Sequence, residues 1–222
     1  MQIAAACTSV RTVTAEIGMS GRAGRQKLRG RVVAGFARPA SMRLEGVAPF
    51  GPPAFILVAR GENATLLLPR DEPRVLRGAP PEDILGALTG VALAPADLQA
   101  ILTGCVVPAP QPVDARRHAN GWASIELFGG STLYLQPAGQ NGWVLRAAKR
   151  DGWQIEYPAW SGNFPQTVRL QSTQPNVNVD LTATLSQVET NKDLEEAAFA
   201  VTVPPGAAPI TLDDLRIYES TN

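Results

Sequence analysis

The segment "NVNVDLTATL", residues 176–185, decides the fold class. Polar side chains occupy every second position, and the positions between them hold Val177, Val179, Leu181, Ala183 and Leu185. Because successive side chains of a β-strand point to opposite faces, this alternation predicts a strand with one buried and one solvent-exposed face. A chain built from such strands belongs to the mainly β class.

The same alternation recurs along most of the chain. It is clear in "KLRGRVVAGFA" (residues 27–37), where Leu28, Gly30, Val32, Ala34 and Phe36 share one face. The second half repeats it in segments such as "GWASIELF", "STLYLQ", "GWVLRAAKR" and "PQTVRLQS". About a dozen strands joined by short turns favour an antiparallel sheet of barrel or sandwich type.

One region breaks the strand pattern. The stretch "APPEDILGALTGVALAPADLQAILTGC", residues 79–105, has apolar residues at helical spacing and predicts two short helices. Pro81 and Pro95 suit the first helical position, and Gly90 and Gly104 suit the ends. We predict a helical lid over residues 80–105, followed by an exposed Pro-rich linker over residues 106–120. Such an inserted helical pair must cover an apolar surface.

The bulk composition sets limits on the partners. Twenty Lys/Arg and twenty Asp/Glu give a net charge of zero over 222 residues, and 6% aromatic residues argue against a stacking platform for nucleic acid. The charge is unevenly distributed, because residues 1–60 hold nine Lys/Arg against two Asp/Glu. These basic residues are either the solvent faces of strands or a surface that attracts an acidic partner or an anionic lipid surface.

The two cysteines, Cys7 and Cys105, are too few for a disulfide-rich scaffold. The start "MQIAAAC" lacks the basic and apolar regions of a working signal peptide, and no apolar run reaches the roughly 18–20 residues of a membrane-spanning helix. The small residues before Cys7 resemble those that precede a lipidated cysteine. Cys7 is therefore a lipidation candidate, or the mark of a trimmed export signal.

No constellation of catalytic residues stands out in the sequence. His118, the single histidine, lies in a polar stretch without metal-ligand spacing around it, and no GxSxG elbow is present. We therefore expect no enzyme, no catalytic residue, no metal and no cofactor. What remains is a sheet with an apolar face and a helical lid, whose interior is either filled by its own side chains or open to an apolar ligand.

An apolar ring lies in an unusual loop, "VAPFGPPAF", residues 47–55. Loops that face water normally carry Asn, Asp, Ser or Gly, yet Phe50 here has a glycine and three prolines around it. The prolines limit the conformations that could hide the ring. Phe50 is therefore either exposed for a purpose or folded back onto the core.

Four segments in this order resemble the LolA/LolB superfamily of lipoprotein carriers, and most closely its LolB-like outer-membrane receptor branch. They are "MRLEGVAPFGPPAFIL", "ILGALTGVALAPADLQAILTG", "GWQIEYPAW" and "FPQTVRLQS". The resemblance covers roughly residues 28–185. It departs from the family pattern at Ala100, where the family often has a Trp, and in the long extension after Leu185.

The resemblance implies a single LolA/LolB-like domain over residues 1–222, with residues 1–20 as a poorly defined N-terminal segment. Its fold would be an incomplete antiparallel β-barrel of about 11 or more strands with a short helical lid inserted mid-chain. It also implies a membrane-insertion loop at Pro49, Phe50, Gly51 and Pro52. The candidate residues for a lipid cavity are Phe36, Leu44, Phe55, Leu57, Leu66, Leu68, Leu85, Leu88, Leu98, Ile101 and Leu102.

The implied function is non-enzymatic binding of lipoprotein acyl chains and their transfer to, or insertion into, the outer membrane. The expected partners are an acylated lipoprotein or other lipid, a periplasmic carrier protein and the outer-membrane surface, with no nucleic acid. The expected location is the bacterial periplasm or the periplasmic face of the outer membrane. The alternative is an envelope structural or assembly protein with a filled barrel that contacts a protein partner.

Overall fold

A computed structural model describes Cys7, residues 9–139 and residues 142–215. These residues form one curved, open sheet of fourteen strands and include two short α-helices, a 3-10 turn at Glu196–Phe199 and a helical segment at residues 212–215. The helices are α1 (Pro81–Thr89) and α2 (Pro95–Leu102). The strands are β1 (Thr12–Ala23), β2 (Gln26–Ala37), β3 (Ser41–Val47), β4 (Ile56–Arg60), β5 (Asn63–Leu68), β6 (Arg74–Ala79), β7 (Pro112–Arg117), β8 (Ala123–Leu127), β9 (Thr132–Ala138), β10 (Gly142–Arg150), β11 (Trp153–Ser161), β12 (Phe164–Ser172), β13 (Val179–Thr190) and β14 (Ala208–Pro209).

The sheet has two arms that meet at β1. The strand order is β14-β6-β5-β4-β3-β2-β1-β13-β12-β11-β10-β9-β8-β7, so β1 pairs with β2 on one side and with β13 on the other. All neighbours are antiparallel except β14 and β6, which are parallel. Because β14 and β7 lie at the two ends of this order, the sheet is not closed. The predicted fold class, an incomplete antiparallel barrel with a mid-chain helical insertion, is confirmed.

The alternation that predicted β13 is present in the structure. Val179 and Leu185 are buried, and Val177, Leu181 and Ala183 pack against the core. The polar positions between them face the other side of the strand. The period-2 pattern therefore gave the correct inner face for this strand.

Both helices begin and end at the predicted signals. Pro81 and Pro95 are the first residues of α1 and α2, where a missing N–H costs no helical hydrogen bond. Gly90 ends α1 in the left-handed region, with φ of 73°, and a Cβ there would lie 3.0 Å from the Cβ of Ala23. The end of α1 therefore packs directly onto the junction of the two arms.

A buried polar cluster attaches α2 to β10 and β11, which belong to the arm that begins at β13. Arg150 on β10 is almost fully buried and donates from Nη1 to Asp97 Oδ1 of α2 (3.0 Å) and to the carbonyl of Val106 (2.7 Å). The Tyr157 hydroxyl on β11 donates to the carbonyl of Ile101 at 3.1 Å, and burial raises the pKa of Tyr157. These bonds fix the helix across the sheet.

Two segments differ from the sequence-based expectation. Residues 12–20, placed within a poorly defined N-terminal segment, belong to the central strand β1, which runs from Thr12 to Ala23. Residues 112–117, placed within an exposed linker, form the edge strand β7. All six residues of β7 are exposed, and the alternation of its sequence is limited to residues 113–116 within a Pro-rich polar stretch, which is too short to mark a strand by itself. Within the described ranges, no helix is long and apolar enough to cross a membrane.

Candidate functional site

The eleven residues predicted to line a lipid cavity form part of a packed core instead. Four of them, Phe55, Leu68, Leu88 and Leu98, are partly buried against this core. The other seven are fully buried: Phe36, Leu44, Leu57, Leu66, Leu85, Ile101 and Leu102. Leu57 and Leu66 have no exposed surface at all. The space beneath the helices is therefore occupied by the protein's own side chains, and a lipid-binding role for these eleven residues stays a prediction.

A cavity of about 910 Å³ lies elsewhere, along the inner face of β7 to β10. None of the eleven predicted residues lines it. The strand residues that point into it are apolar, and Trp160 and Phe164 extend the wall beyond β10. They include Ala123, Ile125, Leu127, Leu133, Leu135, Trp143 and Leu145. Its volume lies in the range of about 300–1,000 Å³ that is typical of ligand sites.

Basic residues lie at one side of this cavity. Arg116 and Arg117 of the edge strand β7 line it, and the Arg117 guanidinium lies 5.4 Å from the centre of the Trp143 ring. This distance is that of a cation–π contact. The cavity therefore combines an apolar wall with a cationic rim, an arrangement that suits an amphiphile with a polar or acidic head.

A disulfide closes another side of the cavity. Cys7 and Cys105, 98 residues apart in sequence, are joined through their sulfur atoms, and both residues line the cavity. The lipidation candidate at Cys7 is incompatible with this bond, because a sulfur in a disulfide cannot also carry a thioether-linked lipid. The sequence signal for the pair was the even number of cysteines with no alternative ligand set.

The loop between β3 and β4 presents Phe50 to solvent. Phe50 is 86% exposed, and Pro49, Gly51 and Pro52 are exposed beside it. Gly51 has a φ of 75°, a conformation that glycine adopts without steric cost. The alternative in which Phe50 folds back onto the core is wrong. The aromatic ring of this loop that packs against the core is that of Phe55, which lies over Gly46.

A second exposed aromatic ring lies at the same end of the strands. Phe128, at the start of the turn between β8 and β9, is 78% exposed. Antiparallel neighbours alternate in direction, and the strand registers place this turn and the β3–β4 loop at the same edge of the sheet. Phe128 was missed by sequence reasoning. Its signal is a Phe-Gly-Gly step directly after a strand, a turn sequence without the usual polar residue.

His118 does not belong to the cavity wall. It is exposed, and its Nε2 lies 3.0 Å from Ser124 Oγ across the β7–β8 turn. Over the ranges that the structure describes, no group of three or more His, Cys, Asp or Glu side chains is placed to hold a metal ion.

Fold and site together define a class of protein: an incomplete antiparallel β-barrel, covered in part by two short helices, that keeps an apolar cavity beside them. No protein-family model and no curated protein matches the sequence. The structure, however, is similar to that of a LolA superfamily protein from Nitrosomonas europaea, with a TM-score of 0.57 and 12% identity over 90% of this chain and 96% of that one.

Two further solved structures agree. A DUF1329 family protein from Desulfovibrio piger has a TM-score of 0.57 at 11% identity, covering 90% of this chain and 95% of that one. A domain assigned to the outer membrane lipoprotein-sorting proteins of Vibrio parahaemolyticus has a TM-score of 0.53 at 10% identity, covering 89% and 93%. At such identities the likeness shows the fold. This chain therefore has the fold of LolA superfamily proteins, as the resemblance of its sequence implied.

Proposed function

We propose that this protein is a non-enzymatic lipid carrier of the bacterial envelope, which binds the acyl chains of a lipoprotein in the β7–β10 cavity and delivers them to the outer membrane. The observation that carries the proposal is the 910 Å³ cavity with its apolar wall and its rim of Arg116 and Arg117. The names of the structural neighbours, which include lipoprotein sorting, support the choice of ligand class.

The energetics suit an acyl chain. Each CH₂ group removed from water contributes about 0.8 kcal/mol, so about ten buried methylenes would contribute about 8 kcal/mol before the costs of binding. Because the cavity is open at one side and its wall is preformed, a chain could enter without unfolding the core. The cationic rim would then lie beside the polar head of the ligand.

Delivery needs a contact with the membrane, and we assign it to the loop of Pro49, Phe50, Gly51 and Pro52, as in the LolB-like receptor branch. An exposed aromatic ring on a proline-stiffened loop can enter the interfacial layer of a bilayer without a conformational change. Phe128 would support the same orientation from the other arm of the sheet. Expected partners are the acylated lipoprotein, a periplasmic carrier protein and the outer-membrane surface.

The disulfide between Cys7 and Cys105 supports a location in the periplasm or on the periplasmic face of the outer membrane. Disulfides persist in oxidising compartments such as the periplasm and are rare in the cytosol. Attachment of the protein itself to a membrane would then rest on the Phe50 loop rather than on a lipid at Cys7.

The cavity is tested by filling it. Ala123 lines the cavity and is only half-buried, so Ala123→Trp should place an indole in the cavity without disturbing the packed core. We expect at least about tenfold weaker binding of a synthetic diacylated lipopeptide, measured by fluorescence titration, because displaced methylenes lose their burial. Ala197→Trp, at an exposed position of the 3-10 turn, is the matched control. Unchanged binding by Ala123→Trp would remove the cavity as the lipid site.

The loop is tested separately with Phe50→Glu, which should fold normally because the native ring is 86% exposed. Less of this variant should sediment with liposomes, and less lipopeptide should be inserted, because a carboxylate resists entry into the bilayer interface. Ala197→Glu adds the same charge at another exposed site. Equal liposome association of Phe50→Glu and the unmodified protein would rule out the insertion loop.

One observation favours the alternative function. The eleven predicted lining residues form a filled core, as expected for an envelope structural or assembly protein that contacts a partner. Native mass spectrometry after detergent-free purification from cells separates the two. A co-purified acylated lipid supports the carrier, and an empty protein bound to another polypeptide supports the assembly role.

A further inference from the structure

A second concave surface lies on the outer face of the sheet, on the side opposite the core. It is an open groove of about 630 Å³ that crosses β1, β2 and β3 at the edge where the Phe50 loop begins. Its wall is formed by Gly18, Met19, Ser20, Arg29, Gly30, Arg31, Val47, Ala48, Pro49 and Thr184. Apart from Pro49, no residue of this groove has a role in the proposed carrier mechanism.

Strand alternation explains why two arginines meet there. On β2 the side chains of Val32 and Ala34 point into the core, so Arg29 and Arg31 point outward. Arg31 lies opposite Gly18 of β1, and Arg29 lies opposite Ser20. A glycine and a serine opposite two long side chains leave the floor of the groove open beneath the guanidinium groups.

The groove is positively charged, and the outward carboxylates of Glu16 and Glu45 lie outside it, opposite Val33 of β2. No Asp or Glu lines it, and no ion pair joins Arg29 or Arg31 to another of the described residues. The contrast with Arg43 on the neighbouring strand β3 is clear, because its guanidinium contacts the Glu45 carboxylate at 2.6 Å. Two adjacent guanidinium groups that form no ion pair within the described ranges can bind an anion of matching geometry.

We propose that this groove binds the phosphate of an anionic phospholipid headgroup when the protein docks on a membrane. The inference rests on the proposed membrane contact of the Phe50 loop and deepens it. Pro49 belongs to both the loop and the groove, so a membrane that receives the Phe50 ring brings its headgroup layer to Arg29 and Arg31. The hydroxyls of Ser20 and Thr184 supply neutral donors in the same wall.

The surrounding charge distribution agrees with this orientation. The hairpin between β1 and β2 ends at the same edge of the sheet and carries the exposed residues Arg22, Arg25 and Lys27. An apolar ring combined with a basic surface supplies the two signals that stable peripheral membrane binding requires. The excess of positive charge in residues 1–60 is thereby given a role, namely recognition of anionic lipid.

The test is co-sedimentation with vesicles of phosphatidylcholine alone or of phosphatidylcholine with phosphatidylglycerol. We expect the unmodified protein to prefer the phosphatidylglycerol vesicles and to lose that preference at high salt. The double variant Arg29→Gln with Arg31→Gln should partition onto them about 25-fold more weakly, because each basic residue near an anionic surface contributes about fivefold. The variant Arg11→Gln with Arg77→Gln removes the same charge at exposed positions outside the groove and should lose less than about twofold.

Three outcomes overturn the proposal. One is an unchanged preference of the groove variant for phosphatidylglycerol, and another is an equal loss by the Arg11/Arg77 control, which would show only non-specific attraction. The third is full competition by inorganic phosphate at the same ionic strength, which would assign the groove to a soluble anion. Lipopeptide binding in the cavity should be the same in all these variants. If the cavity does not bind lipid, the lipopeptide titration will show no binding by any of these proteins. If the groove does not bind phosphate, only the vesicle sedimentation will show it.

Discussion

The two arms of the sheet have the same alternating sequence pattern but different interiors. In the arm of β2 to β6, the inward side chains are closed off by α1 and α2, and residues such as Met42, Leu57 and Leu66 have no exposed surface. In the arm of β7 to β10, the inward side chains face the cavity of about 910 Å³. Leu135 is nearly as buried as Leu57, yet one side of it adjoins open space.

The difference arises from the cover, because both arms have apolar inner faces. The helices contact β3 and β5 of the first arm, β2 to β6. In the second arm, which runs from β13 to β7, they contact β12, near the junction with β1. Beyond α2, the cavity is reached by the segment of Thr103, Gly104 and Cys105, by Pro110 and by the residues around Cys7. Two amphipathic helices fill the concave side of the β2–β6 arm. The segments of Cys7 and Thr103–Cys105, which the disulfide joins into a short crossing over the sheet, leave room for a ligand above β7 to β10.

The largest effect should come from removing the disulfide at this crossing. Replacing both Cys7 and Cys105 by Ser should lower the free energy of unfolding by about 4 kcal/mol, because the bond closes a loop of about 100 residues in the unfolded chain. Urea unfolding followed by tryptophan fluorescence measures this loss. Dithiothreitol should bring the unmodified protein to the stability of the double variant and leave the double variant unchanged. A double variant as stable as the oxidised protein would show that the crossing is held by other contacts.

A matched pair of truncations measures the difference between the arms directly. Leu57→Ala should cost about 3 kcal/mol, because it leaves a void inside a packed core. Leu135→Ala should cost only about 1 kcal/mol, because that side chain already lacks neighbours on its cavity side. Urea unfolding of both variants gives the two values. Equal losses would mean that the second arm is as tightly packed as the first.

The contact between α2 and the second arm is tested through Arg150, whose side chain is 8% exposed. Asp97→Ala should cost about 2 kcal/mol, because it removes a charged hydrogen-bond acceptor from a buried guanidinium. Asp151 also contacts Arg150, at 3.1 Å, but is 65% exposed, so Asp151→Ala is the control and should cost less than about 1 kcal/mol. Similar losses from both variants, measured in urea, would show that Asp97 does not hold the helix to the sheet.

Much of the fold could be predicted from the sequence, and the failures have physical causes. Alternation at positions such as Val179 and Leu185 gives the inner face of a strand, and prolines and glycines give the helix ends. Alternation cannot tell whether an inner face meets a helix or an empty space, so the predicted lining fell on the filled arm. The edge strand β7 is exposed on both faces, and its alternation covers only four residues of a Pro-rich polar stretch. Loop chemistry left Phe50 either exposed or folded back, and the family resemblance implied its exposure, whereas the shared edge with Phe128 depends on the strand order.

The smallest effect concerns the outer face, where the Arg169–Asp180 pair joins β12 to β13 beside the junction of the arms. Hydrogen bonds from Arg169 lower the pKa of the Asp180 carboxyl below its usual range. A carboxyl with a lowered folded-state pKa stabilises the protein above its unfolded pKa of about 3.9, and this contribution is lost as the pH falls through the folded value. Because both side chains are about 40% exposed, the contribution should be below about 1 kcal/mol. Asp180→Asn should therefore unfold at slightly lower urea concentration than the unmodified protein at pH 7, and the two should converge as the pH falls through the folded-state pKa of Asp180. A difference between them that stays constant over this pH range would show that Asp180 acts through packing rather than through its charge.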